Sequence, residues 1–280
     1  MRRQVLRTIH FLLMTVIAVV CLLPIVWMVL GSMRSYEELF QYATQVSWHL
    51  LVPVNWTFQN YIDVLFDDQH PFLRYVFNTL FVASTVTVLV LLINSLAAFA
   101  FAKLRFRGSS VIFVLFMSAL IIPGEVMLVP NYMLINNLGW LNSFKGLIIP
   151  SMLSVFGIFL LKQFFEEIPT EILESARLDG ASWLKIYRVI VLPAAVPAMI
   201  TLGIITFLGN WDAYLWPLVV INDDRKQLIQ VAIANFTSMA GTEWTKVLAA
   251  NTIATVPILI LFFVLQRYYI QGITMSGVKG

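Results

Sequence analysis

Two stretches of this chain carry polar and aromatic side chains at spacings that recognition chemistry could use. In Gly209-Asn-Trp-Asp-Ala-Tyr-Leu-Trp-Pro217, the hydrogen-bonding groups of Asn210, Asp212 and Tyr214 accompany the flat indoles of Trp211 and Trp216. An apolar ring face with polar partners suits a sugar, which has apolar C–H faces and a rim of hydroxyls. Pro217 removes a backbone donor and loosens a helix there. Glu125, in Pro123-Gly-Glu125, is a further polar residue within an apolar run. Ionisable groups inside a bilayer are costly and usually face a cavity or a partner. The competing reading is that both stretches mark helix ends at an interface, with Asp212 in water.

The second stretch is Gln163–Pro193, QFFEEIPTEILESARLDGASWLKIYRVIVLP, a long polar interval in a chain that is 60% hydrophobic. Pro169 suits a first helical turn, Glu171 and Glu174 lie towards the positive end of that helix, Arg177 lies towards the other, and Gly180 stands where a C-terminal cap belongs. Ile168, Ile172 and Ala176 share a face at four-residue spacing, bordered by Leu173. Ser182 caps a second helix on which Trp183, Ile186, Tyr187 and Ile190 recur at helical spacing, and Pro193 is expected to end it. Such a hairpin either docks into another protein or lies flat on the headgroups.

Reaction centres are missing from the sequence. His10, His49 and His70 form no His-Glu-x-x-His site, no Gly-x-Ser-x-Gly elbow occurs, and Cys21 is the single cysteine,. Without a Gly-x-x-x-x-Gly-Lys-Ser/Thr loop, the chain is not expected to hydrolyse ATP itself. The net charge of +3 comes from basic residues scattered beside apolar runs, which is no footprint for nucleic acid.

The elements that position both stretches follow from hydropathy. Charged residues make up 12% of the 280, against about a quarter in soluble domains, and mean hydropathy is +0.85. Apolar runs fall at about 9–33, 75–102, 110–129, 146–161, 194–220 and 247–266, and a transmembrane helix needs roughly 20 such residues. The whole of 1–280 therefore reads as one all-α unit of six spans. The first run is too long for a signal-peptide core, and the fourth carries Pro150 and Gly157.

Cytoplasmic loops retain lysine and arginine. With the N-terminus inside, that side collects twice as many as the other, Lys103-Leu-Arg-Phe-Arg107 among them, so the expected topology is N-in/C-in with 163–193 in the cytoplasm. The opposite side holds a first loop at 34–74, expected to be irregular with a short helix around Asn60–Phe66, and the acidic Asp67, Asp68, Asp223 and Asp224. Trp48, Trp56, Trp140 and Trp244 fit interfacial anchors there. Asn94, midway along the second run, suits an interhelical hydrogen bond.

Glu174-Ser-Ala176, three residues, Gly180, nine residues, Ile190-Val-Leu192-Pro193 resembles the EAA signature of membrane subunits of ATP-binding-cassette (ABC) importers, with Ser175 in place of the middle alanine. Asn210–Leu218, Ile122–Val126 and the ending Tyr269–Gly280 are similar to the maltose-type carbohydrate importers. The resemblance implies the type I importer permease fold and a bacterial or archaeal cytoplasmic membrane. It implies as partners a homologous second permease subunit, two ATPase subunits that hold ATP and Mg, an extracytoplasmic solute-binding protein and a carbohydrate substrate. Coupling to the ATPase would fall to Glu174, Ser175, Ala176, Gly180, Trp183, Ile186, Tyr187, Ile190, Leu192 and Pro193. Glu125, Asn210, Trp211, Asp212, Tyr214 and Trp216 are candidates for the substrate path, and Gly277–Gly280 for contact with the ATPases. Glycerol phosphates are the alternative cargo within the family, and a stand-alone secondary transporter the alternative outside it.

Overall fold

The computed structural model describes residues 2–42, 47–67, 71–238 and 241–277. His70, Asp68 and the tail residues 278–280 therefore lie outside the described residues. In chain order the helices are α1 (Arg2–Ser32), α2 (Tyr36–Gln41), α3 (Gln59–Leu65), α4 (Phe72–Lys103), α5 (Ser109–Ser118), α6 (Leu128–Asn137), α7 (Phe144–Ser151), α8 (Val155–Glu166) and α9 (Thr170–Leu178). They continue with α10 (Trp183–Ile186), a π-helical turn at Tyr187–Val191, α11 (Leu192–Ala194), α12 (Val196–Trp211), α13 (Leu215–Val220), α14 (Ile229–Asn235) and α15 (Trp244–Gly277). Thr237–Ser238 pairs with Gly241–Thr242 in a minimal antiparallel ladder.

Helices α1, α4 and α15 are each long and apolar enough to cross a membrane. At 1.5 Å per residue, the 32 residues of α4 reach about 48 Å. Three bent helix pairs also qualify, so the span count reaches 6 if each pair is one span.

The bends have local causes. Between Ser109–Ile121 and Gly124–Asn137 the chain turns by 96°, because Pro123 pushes Ile122 to an extended conformation at φ −80, ψ 117,. The third apolar element consequently runs on to Asn137, beyond the boundary near residue 129 expected from hydropathy alone. A 40° bend separates α7 from α8, where the Ser154 hydroxyl caps the new helix by accepting the Gly157 N–H at 3.0 Å.

The third bend, 78°, lies between Trp183–Ala194 and Val196–Trp211. It corrects the expectation that Pro193 ends the helix: the chain stays helical through Ala194 and breaks at Ala195, φ −101, ψ 14. The wider π turn just before Pro193 leaves its ring room against the preceding carbonyls, and Pro197 then opens α12, where a missing N–H costs nothing.

The chain forms two compact units. The first comprises 1–74 and 231–257. Within it Asn60 Nδ2 donates to the carbonyls of Ser32 and Arg34 at 2.8 and 2.7 Å, and the Ser32 and Tyr61 hydroxyls meet at 2.6 Å. Buried Glu38 accepts the N–H groups of Val54 and Asn55 at 2.7 and 3.0 Å. These bonds satisfy backbone groups that an irregular loop would otherwise leave unpaired.

The second unit comprises 75–230 and 258–280. Val82, Val86, Val90, Asn94 and Ala98 form a buried stripe on α4 at four-residue spacing, the pattern of a helix face turned to a core. Ile158, Leu161 and Phe165 from α8, Leu173 from α9, Ile186, Tyr187 and Val191, and Ala198 and Leu202 from α12 pack in the same cluster. Asn94 accepts the Ser154 N–H at 3.4 Å, so it bonds between helices at the α7–α8 break. Gly157 backs onto it, since a Cβ there would stand 3.0 Å from Asn94 Nδ2 and 3.1 Å from Leu202.

Candidate functional site

The hairpin α9–α10 is built around its turn. Gly180 has φ +82, a left-handed conformation that costs other residues roughly 1 kcal/mol or more. Its N–H donates to the Arg177 carbonyl and the Ala181 N–H donates to that of Ala176, each at 3.0 Å. These two bonds form a Schellman motif, which satisfies carbonyls that the end of α9 would leave open. Arg177 reinforces it, donating to the Ala181 carbonyl at 2.8 Å with its guanidinium 5.1 Å from the Trp183 ring centre. It makes no ion pair with Glu174 among the described residues. Ser182 then caps α10 by accepting the Lys185 N–H at 3.3 Å.

The buried face of α9 is centred on Leu173, with Ala176 half-buried beside it, while Ile172 is exposed. The expected face of Ile168, Ile172 and Ala176 is thus rotated by one residue. The helix starts only at Thr170, which frees Ile168 to pack on the core from outside it, and Leu173 and Ala176 share a face at i, i+3.

Ile186 and Tyr187 are buried, Ile190 and Leu192 are half-buried, and Trp183 stays 39% exposed. The Tyr187 ring lies 5.3 Å from that of Phe99 and its hydroxyl 2.7 Å from Ser95 Oγ. Ile186 and Tyr187 therefore anchor the hairpin to α4 from inside the chain. Glu174, Ser175, Gly180 and Pro193 are solvent-accessible, and Leu178 is 90% exposed. Leu178 is absent from the residues singled out on sequence grounds; its signal was an apolar side chain off the apolar stripe.

The Asn210–Pro217 segment is a helix end followed by a restart. Trp211 closes α12, Asp212 is its C-cap, and α13 begins at Leu215. A proline at 217 would push its ring against the carbonyl four residues earlier in a continuous helix. Asn210 Nδ2 donates to the Thr206 carbonyl at 2.8 Å, and Asp212 Oδ1 accepts from Gln230 Nε2 at 3.3 Å. Trp211 is fully enclosed and stacks on Phe207 at 5.7 Å. Its indole faces are not open to a ligand, which corrects the expectation of two available indoles. Tyr214 and Asp212 are exposed and Trp216 is half-buried. Glu125 sits exposed on the short 3-10 turn after the 96° bend, and among the described residues no hydrogen bond or ion pair joins it to this segment.

A third polar cluster escaped the sequence reading. Asn142, at φ 54, donates its N–H to the Val220 carbonyl at 2.9 Å. Its Oδ1 accepts the N–H groups of Asn222 and Asp223 at 2.5 and 3.1 Å, and its carbonyl accepts Lys226 Nζ at 2.9 Å. The Arg225 N–H, with Lys226, holds the Asp223 carboxyl below the usual carboxylate range. Only its left-handed preference marks an asparagine for such a role in sequence.

Residues 72–275 match the family described as binding-protein-dependent transport system inner membrane component. The chain is similar to the arabinooligosaccharides transport system permease protein AraQ of Bacillus subtilis (strain 168), 30% identical over 92% of this chain and 91% of the relative. It is 29% identical to the trehalose/maltose transport system permease protein MalG of Thermococcus litoralis over the full length of each. The sn-glycerol-3-phosphate transport system permease protein UgpE of Salmonella typhi is 35% identical over 74% of each chain. In fold it is similar to a chain of the crystal structure of a bacterial ABC transporter involved in the import of the acidic polysaccharide alginate. That likeness has a TM-score of 0.81 and 25% identity over 95% of this chain and 97% of the other.

Proposed function

The chain belongs to the family of binding-protein-dependent transport system inner membrane components, and from that premise we propose that it forms half of the path for a di- or oligosaccharide. It is a non-catalytic, multi-pass permease subunit of an ABC importer, working with ATPase subunits and a solute-binding protein. In our reading the partner ATPases hold ATP and Mg, and a second, homologous permease completes a heterodimer. The six-span, N-in/C-in arrangement belongs to the same proposal.

Coupling is assigned to the α9–α10 hairpin. The observation that carries this role is the capped left-handed turn at Gly180, which stabilises a short, solvent-exposed helix bearing the Glu174–Gly180 signature. Exposed Glu174, Ser175 and Leu178 offer contact to the ATPase. Ala176 supports the turn with Trp183, and Ile186, Tyr187, Ile190, Leu192 and Pro193 carry displacement of the hairpin to α4 and α12. A rigid connection is needed because binding energy at one face moves distant elements only through packed, discrete arrangements.

For the cargo, two relatives that align over more than nine-tenths of the chain are named for arabinooligosaccharides and for trehalose/maltose, whereas the glycerol phosphate relative aligns over 74%. Phosphate recognition favours arginine or lysine in the cavity, and the apolar runs carry none at depth. Asp212, Tyr214 and Trp216, with Asn210 and Glu125, are the proposed contacts, and Trp211 holds that segment in place. Uptake by the reconstituted complex tests this against a panel of neutral oligosaccharides, acidic oligosaccharides and glycerol phosphates. Selective uptake of an oligosaccharide is expected; selective uptake of a glycerol phosphate overturns the cargo assignment.

A further inference from the structure

Between the end of α4 and the α9–α10 hairpin runs a groove of about 1140 Å³. Lys103, Arg105 and Arg107 line one side, Arg177 and Trp183 the other, and Glu174 supplies the one carboxylate among the lining residues. Two of these cations are already engaged. Lys103 Nζ donates to the carbonyls of Glu166 and Ile168 at 3.3 and 2.6 Å, and Arg177 is held by the Ala181 carbonyl and the Trp183 ring. Arg105 and Arg107 are exposed and make no hydrogen bond or ion pair among the described residues. They stand in the short turn that Gly108, at φ +83, closes before α5.

The surroundings of this pair indicate what compensates it. The turn follows directly on α4, a helix long and apolar enough to cross a membrane. Phe101 and Phe106 pack ring to ring at 5.8 Å along the same wall, and Phe106 and Trp183 remain about two-fifths exposed. Free guanidinium groups beside aromatic side chains at the end of a spanning helix match the chemistry of the headgroup region. A soluble protein segment would match the charges without needing the apolar wall to continue into a spanning helix.

We infer that this groove binds the headgroup of an anionic phospholipid, with Arg105 and Arg107 on the phosphate and the acyl chains running along α4. The guanidinium fork suits bidentate phosphate contact. Because Glu174, Arg177 and Trp183 form the opposite wall, the lipid braces the coupling hairpin, and the anionic lipid content of the membrane sets how firmly the hairpin is held. The inference rests on the proposed cytoplasmic placement of the hairpin. Labelling of S110C in a C21S background from either side of sealed vesicles tests that placement separately.

The test uses the complete importer in phosphatidylcholine nanodiscs with and without phosphatidylglycerol. Phosphatidylglycerol retained by the complex is read by native mass spectrometry, and ATPase stimulation by loaded binding protein is read in parallel. Each basic residue beside an anionic surface contributes about fivefold in affinity, so R105Q/R107Q is expected to retain about 25-fold less phosphatidylglycerol. It should also lose the phosphatidylglycerol dependence of stimulation while matching the parent in phosphatidylcholine alone. R188Q, which removes an exposed charge outside the groove, should behave as the parent does. Unchanged phosphatidylglycerol retention by R105Q/R107Q overturns the inference. Loss of the ATPase subunits from that variant in phosphatidylcholine also overturns it, by giving the groove to the protein partner. Stimulation by inorganic phosphate in phosphatidylcholine equal to that by the lipid overturns the lipid source.

Discussion

The Tyr187 hydroxyl lies 2.7 Å from Ser95 Oγ, buried between α4 and the π turn that follows the hairpin. Ser95 in turn donates to the carbonyl of Leu91, which makes Tyr187 the donor to Ser95. The chain of two bonds fastens the hairpin to α4 about two turns before that helix ends at Lys103,.

This direction of donation predicts an asymmetry. Y187F leaves Ser95 with its Leu91 bond and should cost about 0.5–1.5 kcal/mol, whereas S95A strands a buried phenol and should cost about 1–3 kcal/mol. The double variant should resemble Y187F. Thermal unfolding of the four forms checks this, and equal single effects would show that the pair is not bonded as described.

At Gly180 a Cβ would meet nothing within 4 Å, so substitution is governed by backbone conformation alone. G180N should be close to neutral because asparagine tolerates the left-handed region, G180A should cost about 1 kcal/mol, and G180V more. G180V should insert normally while ATP use and uptake become uncoupled or the ATPase dissociates. Normal stimulated uptake by G180V with the ATPase bound would remove the coupling role.

Glu38 accepts two backbone N–H groups with its two carboxylate oxygens. A glutamine amide presents only one acceptor oxygen, so E38Q leaves Val54 or Asn55 unpaired and should cost about 2–3 kcal/mol. A lower midpoint on thermal unfolding is expected, and an unchanged midpoint would contradict the observed bonding.

On the proposed substrate path, Y214A and D212N should raise the solute concentration needed for half-maximal uptake about tenfold, the effect of losing about 1.4 kcal/mol of contact, with assembly intact. W211A should instead reduce the amount of folded protein, because Trp211 is enclosed on all sides. The comparison of uptake with assembled complex separates the two roles. Selective loss of uptake in W211A alone would reverse the assignment.

Much of the α9–α10 hairpin was legible because its determinants are local. Helix ends, the Gly180 turn and the Ser182 cap depend on side chains within four residues of the groups they satisfy, so spacing reveals them. The Gln59–Leu65 helix, offset by one residue from the expected Asn60–Phe66 stretch, belongs to the same class. Less legible was the rotation that buries Leu173 and exposes Ile172, since periodicity defines a stripe only to within one residue's width. The Ala195 break was hidden because a π turn cannot be read from hydropathy.

The amino-acid sequence by itself determined an all-α chain of apolar helices, the absence of a phosphate-binding loop, and the spacing of Glu174, Gly180 and Pro193 on which the proposed coupling role rests. These depend on composition and on contacts within one or two turns. Only the tertiary structure decided that Tyr187 reaches Ser95, 92 residues away, that Trp211 is enclosed, and that Arg105 and Arg107 face the hairpin across a groove. Those relationships join distant parts of the chain, and which side chains meet there follows from how bent helices pack.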